Sequence, residues 1–238
     1  DALLAKKNEI IRSQVAEIKD YKQYDDIQQI FDLIPKRNSE LSDIPLMFEW
    51  NTWRAMTMLD GGNIKANLKF DDFGNPMTTA QGNMADIVCN YDDFDLIVEV
   101  TMASGQKQYE MEGEPVSRHL GKLKKETGRE AYGLFIAPMI NEACVAQFYM
   151  LYHTNISYYG GKSAIVPLPL NIFRKMVEDS FKADCTPNPS QVKAFFEYSK
   201  EIAKSSSVCN IFAASLCFST SSNRLTIAAG LTFPVSRY

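Results

Sequence analysis

The chain has 238 residues, of which 45% are hydrophobic and 23% charged, proportions typical of one globular domain. This composition excludes an intrinsically disordered chain, a disulfide-stabilised scaffold and a coiled coil. The net charge of −4 argues against a protein held to nucleic acid mainly by its overall charge, because phosphate neutralisation needs basic surface. No stretch of about 18 consecutive apolar residues occurs, so no membrane span is predicted.

The N-terminal part of the sequence is predicted to be helical. Its first two helices show apolar residues at helical spacing, and a polar loop over 36–42 follows them. The third has Asp43 as its capping residue and is apolar on nearly all sides, so we expect it to be central and buried. Gly61-Gly62 is expected to end it. The three helices cover 2–19, 24–33 and the stretch from Pro45 to about Leu59.

Strand-like patterns follow these helices. Alternating and β-branched residues predict three strands, which turns at 72–76 and 92–95 separate, and together they indicate an antiparallel meander. Glu114-Pro115 is then expected to start a helix, because proline is tolerated in the first turn. The three strands cover 65–70, 85–91 and 96–102.

The rest of the chain alternates between helix and strand. The predicted elements are a strand over 131–138, a helix over 141–153, a strand over 164–170, and helices near 171–182 and 190–204. Apolar runs in the tail over 208–233 are compatible with helix or strand. This order predicts an α/β fold in which a mixed β-sheet is flanked by helices on both faces.

The cysteines favour a reducing compartment and argue against a zinc site. Their number is odd, and no pair has CxxC spacing, so we expect buried thiols. The five are Cys89, Cys144, Cys185, Cys209 and Cys217.

Two acidic residues on adjacent predicted strands form the most informative pattern. Asp86 opens one strand, and Glu99 lies among apolar residues in the next. A carboxylate in an apolar strand is costly unless it is paired, hydrogen-bonded or bound to metal. Glu49 on the buried helix and Glu112 further along the chain could join them. Such oxygen ligands suit a hard dication such as Mg²⁺, which could activate water for attack on a phosphodiester.

Each acid also has a structural interpretation. Asp86 could cap a turn or pair with a lysine, and Glu99 could pair with a buried arginine. Glu49 could pair with Arg54 or with a neighbouring backbone group, and Glu112 could belong to a solvated polar stretch. The combination of an acid, a turn and an acid on the next strand is more specific than any single residue.

The acidic residues and their surroundings resemble a known group of nucleases. The acid pair is similar to the PD-(D/E)xK core, in which acids on two paired strands hold the catalytic metal. The wider pattern resembles the type IIS restriction endonucleases of the AlwI kind, which include enzymes that nick one strand. The similarity covers about residues 44–140. Its motifs are Phe48-Glu49-Trp50-Asn51-Thr52-Trp53-Arg54, Asp86, Glu99-Val100-Thr101 and Glu112-Gly113-Glu114-Pro115-Val116-Ser117-Arg118-His119.

This resemblance implies a role for each matching acid. Asp86 and Glu99 would be metal ligands, with help from the backbone carbonyl of Val100. Glu49 and Glu112 would complete the catalytic cluster. The cofactor would be Mg²⁺, for which Mn²⁺ would substitute.

A basic stripe on the helix after Pro115 is the candidate DNA-binding surface. Its members could contact the DNA backbone or form a solvated helix face. For His119, phosphate contact or structural hydrogen bonding is favoured over acid–base catalysis. The candidates are Arg118, His119, Lys122 and Lys125.

Thr101 departs from the general nuclease pattern. The usual lysine is absent at this place, and a hydroxyl cannot supply its positive charge. The group that orients or deprotonates the attacking water is therefore open among Glu112, Lys107, His119 and a second metal ion.

The resemblance also implies how the enzyme is organised. Residues 1–238 would form a single nuclease cleavage domain, with a helical lead-in over 1–43, a catalytic core over 44–140 and a helical and strand completion over 141–238. It would cut double-stranded DNA in the prokaryotic cytoplasm, beside a site read by a separate domain or subunit. Double-strand cleavage would use a transient dimer. The first residue, Asp1, agrees with a fragment of a larger enzyme.

Two alternative functions fit the same residues. A repair or junction nuclease of the same fold would cut structured DNA without sequence preference. A catalytically silent module would only dimerise or bind DNA, with Thr101 marking the lost activity.

Overall fold

The computed structural model describes residues 2–20, 23–59, 63–183, 187–205, 226–227 and 231–232. The helices described there are α1 (Ala2–Lys19), α2 (Tyr24–Leu33), α3 (Ile44–Leu59), α4 (Gly105–Thr127), α5 (Glu142–His153), α6 (Leu170–Lys182) and α7 (Pro189–Ser205). The strands are β1 (Asn63–Ala66), β2 (Lys69–Phe70), β3 (Pro76–Thr78), β4 (Ile87–Asn90), β5 (Phe94–Val100), β6 (Glu130–Ala137), β7 (Ile165–Pro169), β8 (Thr226–Ile227) and β9 (Leu231–Thr232).

A five-stranded mixed sheet forms the centre of the fold. Its strand order is β1-β4-β5-β6-β7. The first three strands pair antiparallel, as the predicted meander requires, and β5, β6 and β7 pair parallel. Strands β2–β3 and β8–β9 form separate two-stranded pairs. The predicted mixed α/β fold is confirmed.

Alternate residues of the central strands are buried on opposite faces of this sheet, as strand geometry requires. On β5, Leu96 and Val98 belong to the larger core, which includes residues of α2, α3 and α6. Ile97 between them belongs to a second core with Val116 of α4 and Phe148 of α5. Helices therefore cover both faces, and Glu99, in phase with Ile97, lies on the face that α4 covers.

The predicted strand over 65–70 is divided in the structure. Strand β1 ends at Ala66, and the chain resumes as β2 in another sheet. Asn67 lies at the break, where its backbone N–H donates to the Asp86 carbonyl at 2.9 Å and its side chain donates to the Ala85 carbonyl at 2.6 Å. These bonds hold Asn67 beside the start of β4, and the chain leaves the five-stranded sheet after this residue.

The predicted helix start at Glu114-Pro115 is wrong. Helix α4 begins at Gly105 and contains Pro115 in its interior. The Gln108 side chain explains the earlier start, because its amide donates to the carbonyls of Ala103 at 2.8 Å and Met139 at 2.9 Å. Tertiary hydrogen bonds thus stabilise the turns before the proline. As a result, Glu112 lies on the helix.

The other predicted helices and strands are present within a few residues of their expected bounds. Asp43 caps α3, since its Oδ1 accepts from the Leu46 N–H at 3.0 Å. Cys89 and Cys144 are buried. Gly61-Gly62, most of the 208–233 tail, and the cysteines at 185, 209 and 217 lie outside the described residues. Among the helices that are described, none combines the length and apolar character needed to cross a membrane.

Gly121 of α4 provides a test of how closely this helix packs against the 3-10 turn Ser157–Tyr159, which follows α5. A Cβ at this position would lie 2.6 Å from backbone atoms of Tyr159, which cannot move like a flexible side chain. Alanine normally stabilises a helix relative to glycine. Here we expect Gly121→Ala to lower the free energy of unfolding by about 1–3 kcal/mol through overpacking.

Urea unfolding measures this change in free energy. Gly82→Ala is the matched control, because a Cβ at Gly82 would meet nothing within 4 Å. A Gly121→Ala protein as stable as the wild type would contradict the close approach.

Candidate active site

The candidate site lies where β4 begins and β5 ends. Ile87 pairs with Val98 across the antiparallel β4–β5 ladder. One further step along this register brings Asp86 opposite Glu99. The two acids that the sequence placed on adjacent strands are thus neighbours at one end of the sheet.

Asp86 is held by the backbone of the neighbouring strand. Its Oδ2 accepts a hydrogen bond from the Val100 N–H at 2.8 Å. Burial, and then the negative charges of Glu99 and Glu49, raise the pKa of Asp86 well above its usual range. In the described chain Asp86 forms no ion pair with a lysine, so that structural interpretation is wrong.

Glu99 is buried, with 6% of its surface exposed. Its Oε1 lies 2.7 Å from Nδ1 of His119. Burial, and then Glu112, raise the pKa of Glu99 well above its usual range, and Arg118 only partly opposes this. The buried carboxylate therefore has a histidine partner, and the predicted alternative of a buried arginine is wrong.

Asp95, on the same strand, is a buried acid whose charge is neutralised by an ion pair. It is fully buried, and Arg129 bonds it through Nε at 3.1 Å and through a second guanidinium nitrogen. Arg129 also donates to the Tyr91 carbonyl at 2.7 Å. Among the described residues, no lysine or arginine bonds Glu99 in this way. The two ends of β5 therefore differ, and only the Glu99 end retains uncompensated acid.

His119 lies against the acids, although the sequence groups it with the basic stripe. Only 10% of its side chain is exposed, and burial and then Arg118 lower the pKa of this histidine. Its Nε2 is buried and has no hydrogen-bond partner within the described chain. A neutral imidazole that donates from Nδ1 to Glu99 leaves Nε2 as an acceptor. Sequence analysis gave no signal for the contact with Glu99, because the two residues lie on different elements.

Glu49 reaches the site from α3. Its Oε2 accepts from the Ala80 N–H at 2.8 Å, and it is 7% exposed. Burial, and to a smaller extent Asp43, raise the pKa of Glu49 to about 7. Of the two structural partners predicted for Glu49, Arg54 is wrong, because it bonds Asp26 at 2.5 Å, whereas a backbone group is its partner here.

Glu112 lies on α4, half-buried and close to Thr101. Burial raises the pKa of Glu112, and a hydrogen bond from the Thr101 hydroxyl partly opposes this. The same hydroxyl accepts from the Ala103 N–H at 3.0 Å. The residue at the place of the usual lysine therefore holds an acid and the start of α4. The predicted alternative, in which Glu112 belongs to a solvated polar stretch, is therefore wrong.

The four acids share one electrostatic environment without forming one ligand cluster. The pKa of Asp86 is raised by burial and by Glu99, Glu49 and Glu112 in that order. In the part of the chain that the structure describes, no three His, Cys, Asp or Glu side chains are arranged to hold a metal ion together.

Three of the predicted DNA-binding side chains lie on exposed or half-exposed positions of α4. Arg118 bonds Glu114 at 3.1 Å and the side chain of Asn83, in the loop that leads to Asp86. Lys122 Nζ reaches the Asn83 carbonyl at 3.4 Å, whereas Lys125 Nζ donates to the Tyr158 carbonyl at 2.7 Å. Arg118 and Lys122 therefore flank the acids, and Lys125 lies further along the helix.

A groove beside the acids contains a residue that sequence analysis missed. Arg37 lines it together with Glu49, Thr101 and Lys107. The sequence placed this arginine in a polar loop with no functional signal. Only a long-range contact, Arg37 Nη2 to the Met102 carbonyl at 3.4 Å, brings it to the end of β5.

Comparison with known proteins identifies the family. Residues 4–176, which include all four acids, match the AlwI restriction endonuclease family. The chain belongs to this family. It is therefore a site-specific deoxyribonuclease, and its relatives act on DNA and generally use a divalent metal. A search of the curated proteins finds no match.

A solved structure agrees with this family membership. The chain is similar to the small subunit, R.BspD6I2, of the heterodimeric restriction endonuclease R.BspD6I, with a TM-score of 0.66 and 27% sequence identity. The match covers 82% of this chain and 96% of that chain. The predicted restriction-endonuclease-like fold is confirmed.

The raised pKa of Glu49 predicts how stability depends on pH. Its folded value of about 7 exceeds the ordinary 4.5, so between these values the folded protein binds more protons than the unfolded chain. The contribution of Glu49 to the free energy of unfolding is then fully present below about pH 4.5 and is lost as the pH rises to 7. Asp86, Glu99 and Glu112 also have raised pKa values and contribute to the same fall in stability, so we expect Glu49→Gln to reduce it and to stabilise the metal-free protein at pH 8 by up to about 3 kcal/mol.

Urea unfolding between pH 4.5 and 8, in the presence of a chelator, measures the effect. Glu126→Gln, an exposed change on α4, is the control and should keep the wild-type pH dependence. Parallel wild-type and Glu49→Gln curves would show that Glu49 does not contribute to the fall.

Proposed function

We propose that the chain is the Mg²⁺-dependent cleavage region of a type IIS restriction enzyme, with Mn²⁺ as a substitute ion. In this proposal residues 1–238 form a single cleavage domain, with residues 44–140 as its catalytic core. It hydrolyses a DNA phosphodiester beside a site that a separate region reads. The observation that carries the proposal is the Asp86–Glu99 pair, two buried or half-buried carboxylates held side by side with raised pKa values.

The ligand set fits a hard cation. Mg²⁺ prefers oxygen ligands and needs one or two carboxylates, with water and phosphate at its other positions. Asp86, Glu99 and the Val100 carbonyl supply this set. Burial raises the pKa of both acids, as does repulsion from neighbouring carboxylates, mainly Glu99 for Asp86 and Glu112 for Glu99, and a nearby cation would reverse this effect. A divalent ion there would neutralise charge on the phosphate and lower the pKa of a bound water.

The protein holds each acid in a fixed orientation. The Val100 N–H binds Asp86, and His119 binds Glu99. The Ala80 N–H binds Glu49. Such supporting bonds fix ligand geometry, and their loss commonly weakens metal affinity or activity about 10–100-fold.

Glu49 and Glu112 are proposed to orient the attacking water or a second ion. Their raised pKa values make their carboxylates better proton acceptors. His119 offers a second acceptor through Nε2, which is buried and unbonded within the described residues. Lys107 is exposed on the first turn of α4 and bonds none of the four acids, so a role as base is not assigned to it.

Arg118, Lys122 and Lys125 are proposed to contact the DNA backbone along α4, and His119 connects this surface to Glu99. The neighbour described as a small subunit of a heterodimeric enzyme supports the view that a separate subunit recognises the DNA site. Two cleavage regions in a transient dimer would cut both DNA strands, whereas a single region would cut only one strand. The setting would be the prokaryotic cytoplasm.

Removing either metal ligand tests this function. We expect Asp86→Asn and Glu99→Gln to reduce plasmid cleavage in Mg²⁺ by at least roughly 100-fold, because each removes a charged ligand. Isothermal titration calorimetry should show loss of Mg²⁺ or Mn²⁺ uptake in both variants.

The control is Glu9→Gln, which removes one exposed acid of α1 and should behave as wild type. Asn and Gln have nearly the same shape as Asp and Glu, so both variants should fold. Circular dichroism checks this. Wild-type cleavage rates in Asp86→Asn or Glu99→Gln would refute the assigned ligands.

If a separate region reads the DNA site, this chain alone should bind duplex DNA without sequence preference. We expect the chain alone, incubated with a pool of random duplexes in Ca²⁺, to retain no enriched motif. Specific binding would instead exceed non-specific binding roughly 10³-fold or more. Sequencing of the retained duplexes measures this, and one strongly enriched motif would show that the chain itself reads the site.

A further inference from the structure

We propose that Arg37 and Lys107 form a clamp that holds a DNA backbone phosphate at the mouth of the groove beside Glu49. This inference rests on the proposed function and deepens it, because it names side chains that would hold the substrate at the site. The term phosphate clamp is used below for these two residues.

The groove connects Glu49, the one of the four acids that lines it, to the surface. It is lined by Glu49 of α3, by Thr101 and Ser104 after β5, and by Lys107 on α4, with Arg37 from the loop after α2. Carboxylate, hydroxyl and cationic groups therefore meet in one concave surface. A groove of this kind suits an anionic, hydrogen-bonding ligand that must approach a carboxylate.

The positive charges of both clamp residues are not paired with an acid of the described chain, so they can bind an anionic ligand. Within the described residues, neither Arg37 nor Lys107 forms an ion pair, and the only hydrogen bond of the Arg37 guanidinium is the long one to Met102. A guanidinium with unused donors is suited to bidentate phosphate binding, and an ammonium contributes a point charge. By contrast, four other arginines each bond an acid: Arg54, Arg118, Arg129 and Arg174.

The backbone at Arg37 is unusual for an arginine. Its φ is +48°, in the left-handed region that favours glycine. The residue lies in the turn that follows α2, where its N–H donates to the Ile34 carbonyl at 3.1 Å. Turn positions with a positive φ usually carry glycine or asparagine, so this turn accepts strain at a residue with a long cationic side chain.

Electrostatics explains why the groove needs these cations. A phosphodiester that approaches Glu49, Asp86 and Glu99 meets acids that no described lysine or arginine neutralises directly. Positive side chains along the approach offset this repulsion and raise the local concentration of the polyanion. Arg118 and Lys122 act from the Asn83 side, and the phosphate clamp acts from the groove.

The test measures DNA binding of the full-length chain with Ca²⁺ in place of Mg²⁺. Fluorescence anisotropy of a labelled duplex over a salt series gives the slope of log K against log salt concentration. That slope loses roughly 0.9 for each phosphate contact removed. We expect one such loss for Arg37→Gln or Lys107→Gln, about two for the double variant, and a smaller loss for Arg37→Lys.

Lys204→Gln is the matched control. It removes one positive charge from an exposed position near the end of α7, beside the C-terminal end of α5 and away from the groove. Calorimetry of Mn²⁺ uptake provides the second readout. The clamp variants should bind the ion as wild type does, because they leave Asp86 and Glu99 intact.

The outcomes separate the two proposals. Clamp variants whose salt slope equals that of Lys204→Gln would overturn the phosphate clamp and leave the nuclease proposal standing. Loss of Mn²⁺ uptake or of the folded circular dichroism spectrum in the clamp variants would also overturn it, because these residues would then support the site itself. A wild-type chain that binds neither ion nor duplex would overturn the proposed function, and the clamp with it.

Discussion

The double pairing of β5 is the constraint on which the rest of the structure depends. This strand pairs antiparallel with β4 and parallel with β6, and both of its faces are covered by helices. The antiparallel register brings Asp86 beside Glu99, and the alternation of side chains turns Glu99 towards α4. A slip of one residue would turn Glu99 to the other face, away from His119.

The same strand shows how the protein treats buried charge in two ways. At its start, Asp95 is neutralised by Arg129, which is the usual solution for a buried acid. At its end, Glu99, and Asp86 opposite it at the start of β4, have raised pKa values and neutral or backbone partners. This arrangement is unfavourable for an isolated domain and favourable for a site that binds cations. The contrast supports a functional interpretation of one end and a structural interpretation of the other.

The sequence predicted much of the fold from local patterns. The helix over 24–33 and the Asp43 cap needed only spacing and capping rules, and the central strands needed only β-branched runs. The errors arose where long-range bonds override local preference. Asn67 divides a predicted strand, and Gln108 starts α4 before its proline.

For the candidate site, the sequence by itself determined which acids stand on neighbouring strands, because strand period and turn position are local properties. It also determined that Thr101 stands where the resemblance expects a lysine. Only the tertiary structure decided that His119 bonds Glu99, that Thr101 bonds Glu112, and that Arg37 reaches the groove. Those contacts join residues on separate elements, and their geometry follows from how α4 and the loop after α2 pack against the sheet.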